Sequence, residues 1–204
     1  MLILCSNGLT NDNIKDELKL HLLYNNTRAA LVVTADNIYK RKNYHVARSM
    51  KELIDMGLSV DIIDIDETSC KELLKYNVVE FIGGNPFYLL NSIRKQQCEK
   101  ILKEICKNQI LIGWSAATFV FGPTLELVNR YSPELNIVGL ISMEGLSLTE
   151  IEVLPHYSKY LSKFERFEER CKEYEKEKSK EVIRLNDGEA IFINGNEIKI
   201  IRAL

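Results

Sequence analysis

Short apolar runs alternate with longer amphipathic stretches along the first 122 residues. Runs at 2–5, 29–34, 60–65, 78–82 and 110–113 predict strands. Most are continuous rather than alternating, as strands covered on both faces should be. The run at 60–65 differs, because Asp61 and Asp64 interrupt it. Helical patterns occupy about 13–23, 43–56, 70–76 and 87–107. Strand–helix–strand alternation predicts an α/β fold with a mostly parallel sheet and helices on both faces.

Beyond residue 122 the pattern changes. Gly122-Pro123 breaks the chain, and 125–129, 136–140 and 151–154 predict further short strands. The stretch 160–178 is the most charged. Leu161, Phe164, Phe167 and Cys171 fall on one helical face there, so its charges form a solvated face. Strands are predicted at 182–185, 190–193 and 197–201, with turns at Asn186-Asp187-Gly188 and Asn194-Gly195. Asn-Gly between two apolar runs predicts a C-terminal β-hairpin. No repeat and no Pro/Gly/Ser-rich linker divides the chain, so residues 1–204 are expected to form a single α/β domain.

Composition narrows the function classes. With 46% hydrophobic and 27% charged residues, the chain is not a disordered one. Lys+Arg is 27 and Asp+Glu is 29, a net charge of −2, so nothing demands a nucleic-acid partner. The opening run Met1–Cys5 is too short for a leader or a membrane span, and no run approaches about 18 apolar residues. No membrane partner and a cytoplasmic location are expected. The five cysteines are odd in number and include no C-x-x-C pair, which predicts reduced, mostly buried thiols rather than a disulfide framework or a zinc site.

One segment carries chemistry. In Leu111-Ile112-Gly113-Trp114-Ser115-Ala116-Ala117-Thr118 an apolar strand ends and a helix can begin near Ala116. That is the context of a nucleophile elbow, where a serine is pushed clear of the sheet. The pattern is G-x-S-x-A, with Ala117 in the place where glycine is usual. Amides at the helix start favour an oxyanion. Phe81-Ile82-Gly83-Gly84-Asn85-Pro86 likewise ends a strand and opens a helix, at the same C-terminal edge of a parallel sheet. Gly83 or Gly84 can then supply a second oxyanion donor beside the Ala116 N–H. A serine needs a base. His21 and His45 lie in helical patterns and read as surface residues, whereas His156 directly follows a predicted strand. Ser115 and His156 are expected to meet at one sheet edge, with Ser115 in a strained conformation. Between them the acids are Glu126, Glu134, Glu144, Glu150 and Glu152, and Glu134 is the first choice for the third member because 131–134 reads as a loop.

Taken in order, Gly83-Gly84-Asn85, Gly113-Trp114-Ser115-Ala116 and Pro155-His156-Tyr157 resemble peptidase E, the aspartyl dipeptidase family of serine peptidases. The resemblance covers roughly residues 28–204. It implies a class I glutamine-amidotransferase-like fold and hydrolysis of short peptides, with the cleaved bond following an N-terminal aspartate. It implies Ser115 as nucleophile, His156 as base, Gly84 and Ala116 at the oxyanion hole, and neither a metal nor an organic cofactor. The family has Ala-Gly after the serine, where this chain has Ala116-Ala117. A gapless alignment puts Arg130 where the family has an aspartate, which predicts a Ser–His dyad. The alternative is a degenerate member that binds a small peptide or amino-acid derivative without turning it over.

Overall fold

A computed structural model describes residues 1–22 and 27–203. Seven strands form the main sheet: β1 (Leu2–Cys5), β2 (Arg28–Val32), β3 (Ser59–Ile63), β4 (Val78–Phe81), β5 (Ile110–Trp114), β8 (Ala190–Asn194) and β9 (Glu197–Ile201). Their spatial order is β3-β2-β4-β5-β1-β8-β9. The first five run parallel, and β8 and β9 close the far side as an antiparallel hairpin. A separate pair, β6 (Glu152–Leu154) and β7 (Val182–Arg184), is parallel. The helices are α1 (Asp12–Lys19), α2 (Tyr44–Asp55), α3 (Pro86–Lys95), α4 (Glu99–Asn108), α5 (Ala116–Phe121), α6 (Glu126–Tyr131), α7 (Tyr157–Lys163) and α8 (Phe167–Lys178).

The strand period of two explains the continuous apolar runs. Leu2, Leu4, Val79, Phe81 and Leu111 point to one face and pack with α3, α4, α5 and α8. Ile3, Cys5, Val78, Ile112 and Trp114 point to the other and pack with α1 and α2. Strand β3 lies at the sheet edge and is only partly buried, which is why Asp61 is tolerated in it. Among the described residues no helix is long and apolar enough to cross a membrane.

Several expectations are corrected. The stretch 87–107 is two helices, α3 and α4, separated where Gln97 takes a left-handed φ of 53°. Residues 70–75 form a 3-10 helix. The run 125–129 falls in a helix, because Leu127, Val128 and Tyr131 share a buried helical face and the Thr124 hydroxyl accepts from the Glu126 N–H. Residues 136–140 form a loop instead of a strand. The Asn136 side chain accepts from the Leu140 N–H and donates to its carbonyl, taking the groups a ladder would use. The stretch 160–178 is again two helices, α7 and α8, divided at Arg166 with φ 52°. Strand β7 pairs with β6 and takes no part in the hairpin. Cys70 and Cys98 are joined by a disulfide, against the expectation of reduced thiols throughout, while Cys5, Cys106 and Cys171 are free. The predicted end of the first helix, Leu23, lies outside the described residues.

Candidate active site

The C-terminal ends of β4, β5 and β1 meet at one edge of the sheet, as open α/β sheets place their ligand crevices. Ser115 follows β5 directly and has φ 53° and ψ −110°, a conformation disfavoured for any residue with a Cβ. Packing holds it there. A Cβ on Gly83 would lie 2.6 Å from the Trp114 ring and 2.9 Å from the Ser115 Cβ. Gly84, at φ 156°, passes so close to the Ala35 carbonyl that a Cβ would sit 2.3 Å from its oxygen. All six residues of α5 are buried, so the helix start behind Ser115 is fixed by volume.

His156 follows β6 and also has a positive φ, in its case within the left-handed region, with φ 56° and ψ 29°. Its Nε2 lies 2.9 Å from Ser115 Oγ. Its Nδ1 lies 2.6 Å from Oδ1 of Asp187, in the turn between β7 and β8. A carboxylate only accepts, so Nδ1 carries the proton and the Nε2 lone pair faces the serine hydroxyl. Burial lowers the His156 pKa below the ordinary imidazole value, and the Asp187 hydrogen bond and charge oppose that. Burial works against ionisation of Asp187, but its bonds to Lys159 and His156 carry its pKa below the usual carboxylate range. Lys159 Nζ is 2.5 Å from the other Asp187 oxygen. A neutral imidazole against an ionised carboxylate is the resting state of a general base.

The cleft over Ser115 has a volume of about 460 Å³. Gly83, Gly84, His156 and Tyr160 line it, and so do the cations Arg48, Lys159 and Lys163. His45, expected on the surface, also lines it, beside the edge of the Trp114 ring. Burial, followed by the charges of Arg48, Lys159 and His156, lowers its pKa. A larger open groove of about 900 Å³ lies between α8, β7 and β9, but Ser115 and His156 do not line it.

The profile of peptidase family S51 matches residues 2–201. The chain belongs to peptidase family S51. It is 29% identical over 160 residues to an uncharacterised peptidase of Listeria monocytogenes, covering 76% of this chain and 77% of that protein. It is 28% identical over 116 residues to peptidase E of a Nostoc species, covering 56% of this chain and 46% of the relative. A solved Listeria monocytogenes structure assigned to peptidase E superposes with a TM-score of 0.76 at 25% identity, over 100% of this chain and 98% of that one. A peptidase from an acI-B1 actinobacterium shares the fold, with a TM-score of 0.72 at 15% identity over 99% and 87% of the two chains. The S51 chain is therefore a peptidase with an α/β fold.

Within this S51 chain the structure brings Ser115, His156, Gly84 and Ala116 to one edge. Ala117 fits because its partner across the elbow is Gly113: a Cβ on Gly113 would meet the Ala117 methyl at 2.9 Å and the Phe121 ring at 2.6 Å. Glu134 is not at His156. It is exposed on the 3-10 turn Pro133–Leu135, and the carboxylate against the imidazole is Asp187. Arg130 pairs with Glu177 at 2.6 Å and lies over the Tyr174 ring. The expected Ser–His dyad is thus corrected: a carboxylate faces His156, and Arg130 pairs elsewhere. Searching for the acid only between serine and histidine misses Asp187. Its signal is the Asn186-Asp187-Gly188 turn at the end of a strand, since a triad is defined by geometry and not by chain order.

Proposed function

We propose that the protein is a serine peptidase that cleaves short peptides carrying an acidic N-terminal residue. The observation that carries this reading is the single imidazole bridging Ser115 Oγ and Asp187 Oδ1. Ser115 Oγ attacks the scissile carbonyl carbon as its proton passes to His156 Nε2. Asp187 holds the Nδ1–H tautomer and stabilises the imidazolium. Backbone N–H groups of Gly84 and Ala116 receive the oxyanion, and losing one such donor typically costs about 100-fold or more in rate. The intermediate collapses by expelling the amine, which takes the proton from His156, and leaves an acyl-enzyme on Ser115. Water, deprotonated by His156, hydrolyses that ester and restores the serine.

The cleft's charge supports the substrate class. Arg48, Lys159 and Lys163 all line it. Lys159 is already paired with Asp187 and Arg48 with Glu52, so Lys163 is the cation that an entering carboxylate side chain, such as that of an N-terminal aspartate, is proposed to meet first. The relatives named peptidase E support the peptidase part of the reading. No specific observation favours a purely binding role.

A panel of Asp-Xaa and other dipeptides, run with Ser115→Ala alongside, tests the proposal. Turnover of Asp-Xaa by the native chain and background with Ser115→Ala is expected. A serine-directed fluorophosphonate should label Ser115. Equal background rates, with Ser115 unlabelled in folded protein, would leave a non-catalytic peptide-binding member.

A further inference from the structure

The last residue of β1 and the two after it, Cys5-Ser6-Asn7, touch every part of the relay. The Cys5 carbonyl accepts from the Ser115 N–H at 3.2 Å. Ser6 is fully buried, and its hydroxyl is used twice. It accepts from the His156 N–H at 2.8 Å and donates to Asp187 Oδ1 at 3.0 Å. These directions are fixed, because an amide N–H only donates and a carboxylate only accepts. The Ser6 N–H donates to the Glu189 carbonyl at 3.0 Å, and Asn7 Oδ1 accepts from the Gly188 N–H at 2.9 Å. The turn that carries Asp187 is therefore fastened to the end of β1 at the carboxylate itself and at the two residues that follow it.

We propose that Ser6 is a positioning residue for the His156–Asp187 pair, a fourth member of the relay that contacts neither substrate nor the serine nucleophile. The proposal rests on the serine-peptidase reading of the site. Two details set Ser6 apart from an ordinary buried hydroxyl. The Asp187 oxygen it bonds is the same oxygen that accepts from His156 Nδ1. The His156 amide it bonds belongs to a residue held at φ 56°, which a non-glycine backbone adopts only when its surroundings enforce it. One hydroxyl thus sets the backbone of the base and the aim of the acid together. Alanine loses both bonds. Cysteine keeps nearly the volume but donates weakly. Threonine keeps the hydroxyl.

The test compares Ser6→Ala, Ser6→Cys and Ser6→Thr in the full chain, with thermal melts to confirm folding. Ser6→Ala and Ser6→Cys are expected to lower kcat by about 10- to 100-fold with little change in KM, as loss of an outer partner that orients a functional imidazole does. Ser6→Thr should recover most of that loss. The same variants are read by NMR for the downfield His156 Nδ1–H proton. It should be present in the native chain, absent in Asp187→Asn, and shifted or broadened in Ser6→Ala and Ser6→Cys. A folded Ser6→Ala or Ser6→Cys with kcat within about twofold of native and an unmoved Nδ1–H signal overturns the proposal. If Ala fails to fold, the near-isosteric Cys variant decides. Failure of the native chain to react with fluorophosphonate would sink the serine-peptidase reading instead, and the NMR signal would still report whether Ser6 sets the His156–Asp187 pair.

Discussion

Two residues at the site share a positive φ, though not the same ψ, and are held there by different forces. Ser115, at φ 53°, sits between strand β5 and helix α5, in contact with buried neighbours. His156, at φ 56°, follows a strand of three residues whose partner is the equally short β7. Volume fixes the first: Gly83 and Gly113 are small because Trp114, Ala117 and Phe121 fill the space beside them. Hydrogen bonds fix the second: the His156 N–H goes to Ser6, the Tyr157 N–H to the Leu185 carbonyl, and the ring to Asp187. A packed elbow tolerates lost polar partners but not added methyl groups, because interiors are close-packed. A hydrogen-bonded turn tolerates volume but not a missing acceptor.

That contrast can be broken at its polar end first. Asp187→Asn preserves the shape and reverses the imidazole tautomer, so turnover should fall by about 10⁴ with the melt little changed. A loss below about tenfold would show that His156 is not held by this carboxylate. At the packed end, Gly83→Ala drives a methyl into Trp114 and the Ser115 Cβ. A shift of the nucleophile by about 1 Å should cost on the order of 100-fold in turnover and lower the melting temperature as well. Unchanged activity and stability would mean that the elbow is not set by volume.

A smaller effect concerns the base itself. As the proposed base His156 must be neutral, and burial lowers its pKa. The acid limb of kcat/KM should therefore lie below the ordinary imidazole value of about 6.5. A limb above that value would show that Asp187 outweighs burial.

The packed half also hides one polar bond, and it yields a prediction about stability rather than rate. Glu80 is fully buried and accepts from the Trp114 indole N–H at 3.0 Å. Burial, with the nearby Glu52 charge, pushes its pKa up to about 8 from 4.5. Between those values the folded chain binds more protons than the unfolded one, so Glu80's contribution to stability is present below about 4.5 and is lost as pH rises through about 8. Glu80→Gln should melt higher than native at pH 8, with the gap closing toward pH 5. A gap independent of pH would place the titration elsewhere. Smallest of all, Arg130→Asp and Glu134→Gln should leave turnover where it was, since Arg130 pairs with Glu177 and Glu134 lies on an exposed turn.

The same division decides what the sequence makes legible. Strands buried on both faces are read as largely apolar runs, so β1, β2 and β5 stand out, as does β4 despite Glu80, and the turns after β4 and β5 locate Gly84 and Ser115. His156 is legible for the same reason, as a histidine at a strand end. The segment 122–189 obeys no such rule. Leu127 and Val128 read as strand residues because six positions are too few to show a helical period. Residues 136–140 are shaped by one asparagine side chain, and β6 and β7 are three residues each. Asp187 and Ser6 reach His156 through long-range contacts that no local pattern encodes. His45 reads as a residue of an exposed helical face, and only the cleft reveals its surroundings. The Cys70–Cys98 bond joins cysteines 28 residues apart, a pairing no motif marks.

The bond between Ser6 and Asp187 spans 181 positions of the chain. Closing so long a loop is slow, and contacts between distant segments delay folding more than local ones do. The Ser115–His156–Asp187 arrangement is therefore expected to be among the last features to form. In refolding, helical signal should return before Ser115 becomes reactive toward fluorophosphonate. A chain cut short before residue 187 lacks the carboxylate that faces His156, so it is expected to stay unreactive toward fluorophosphonate.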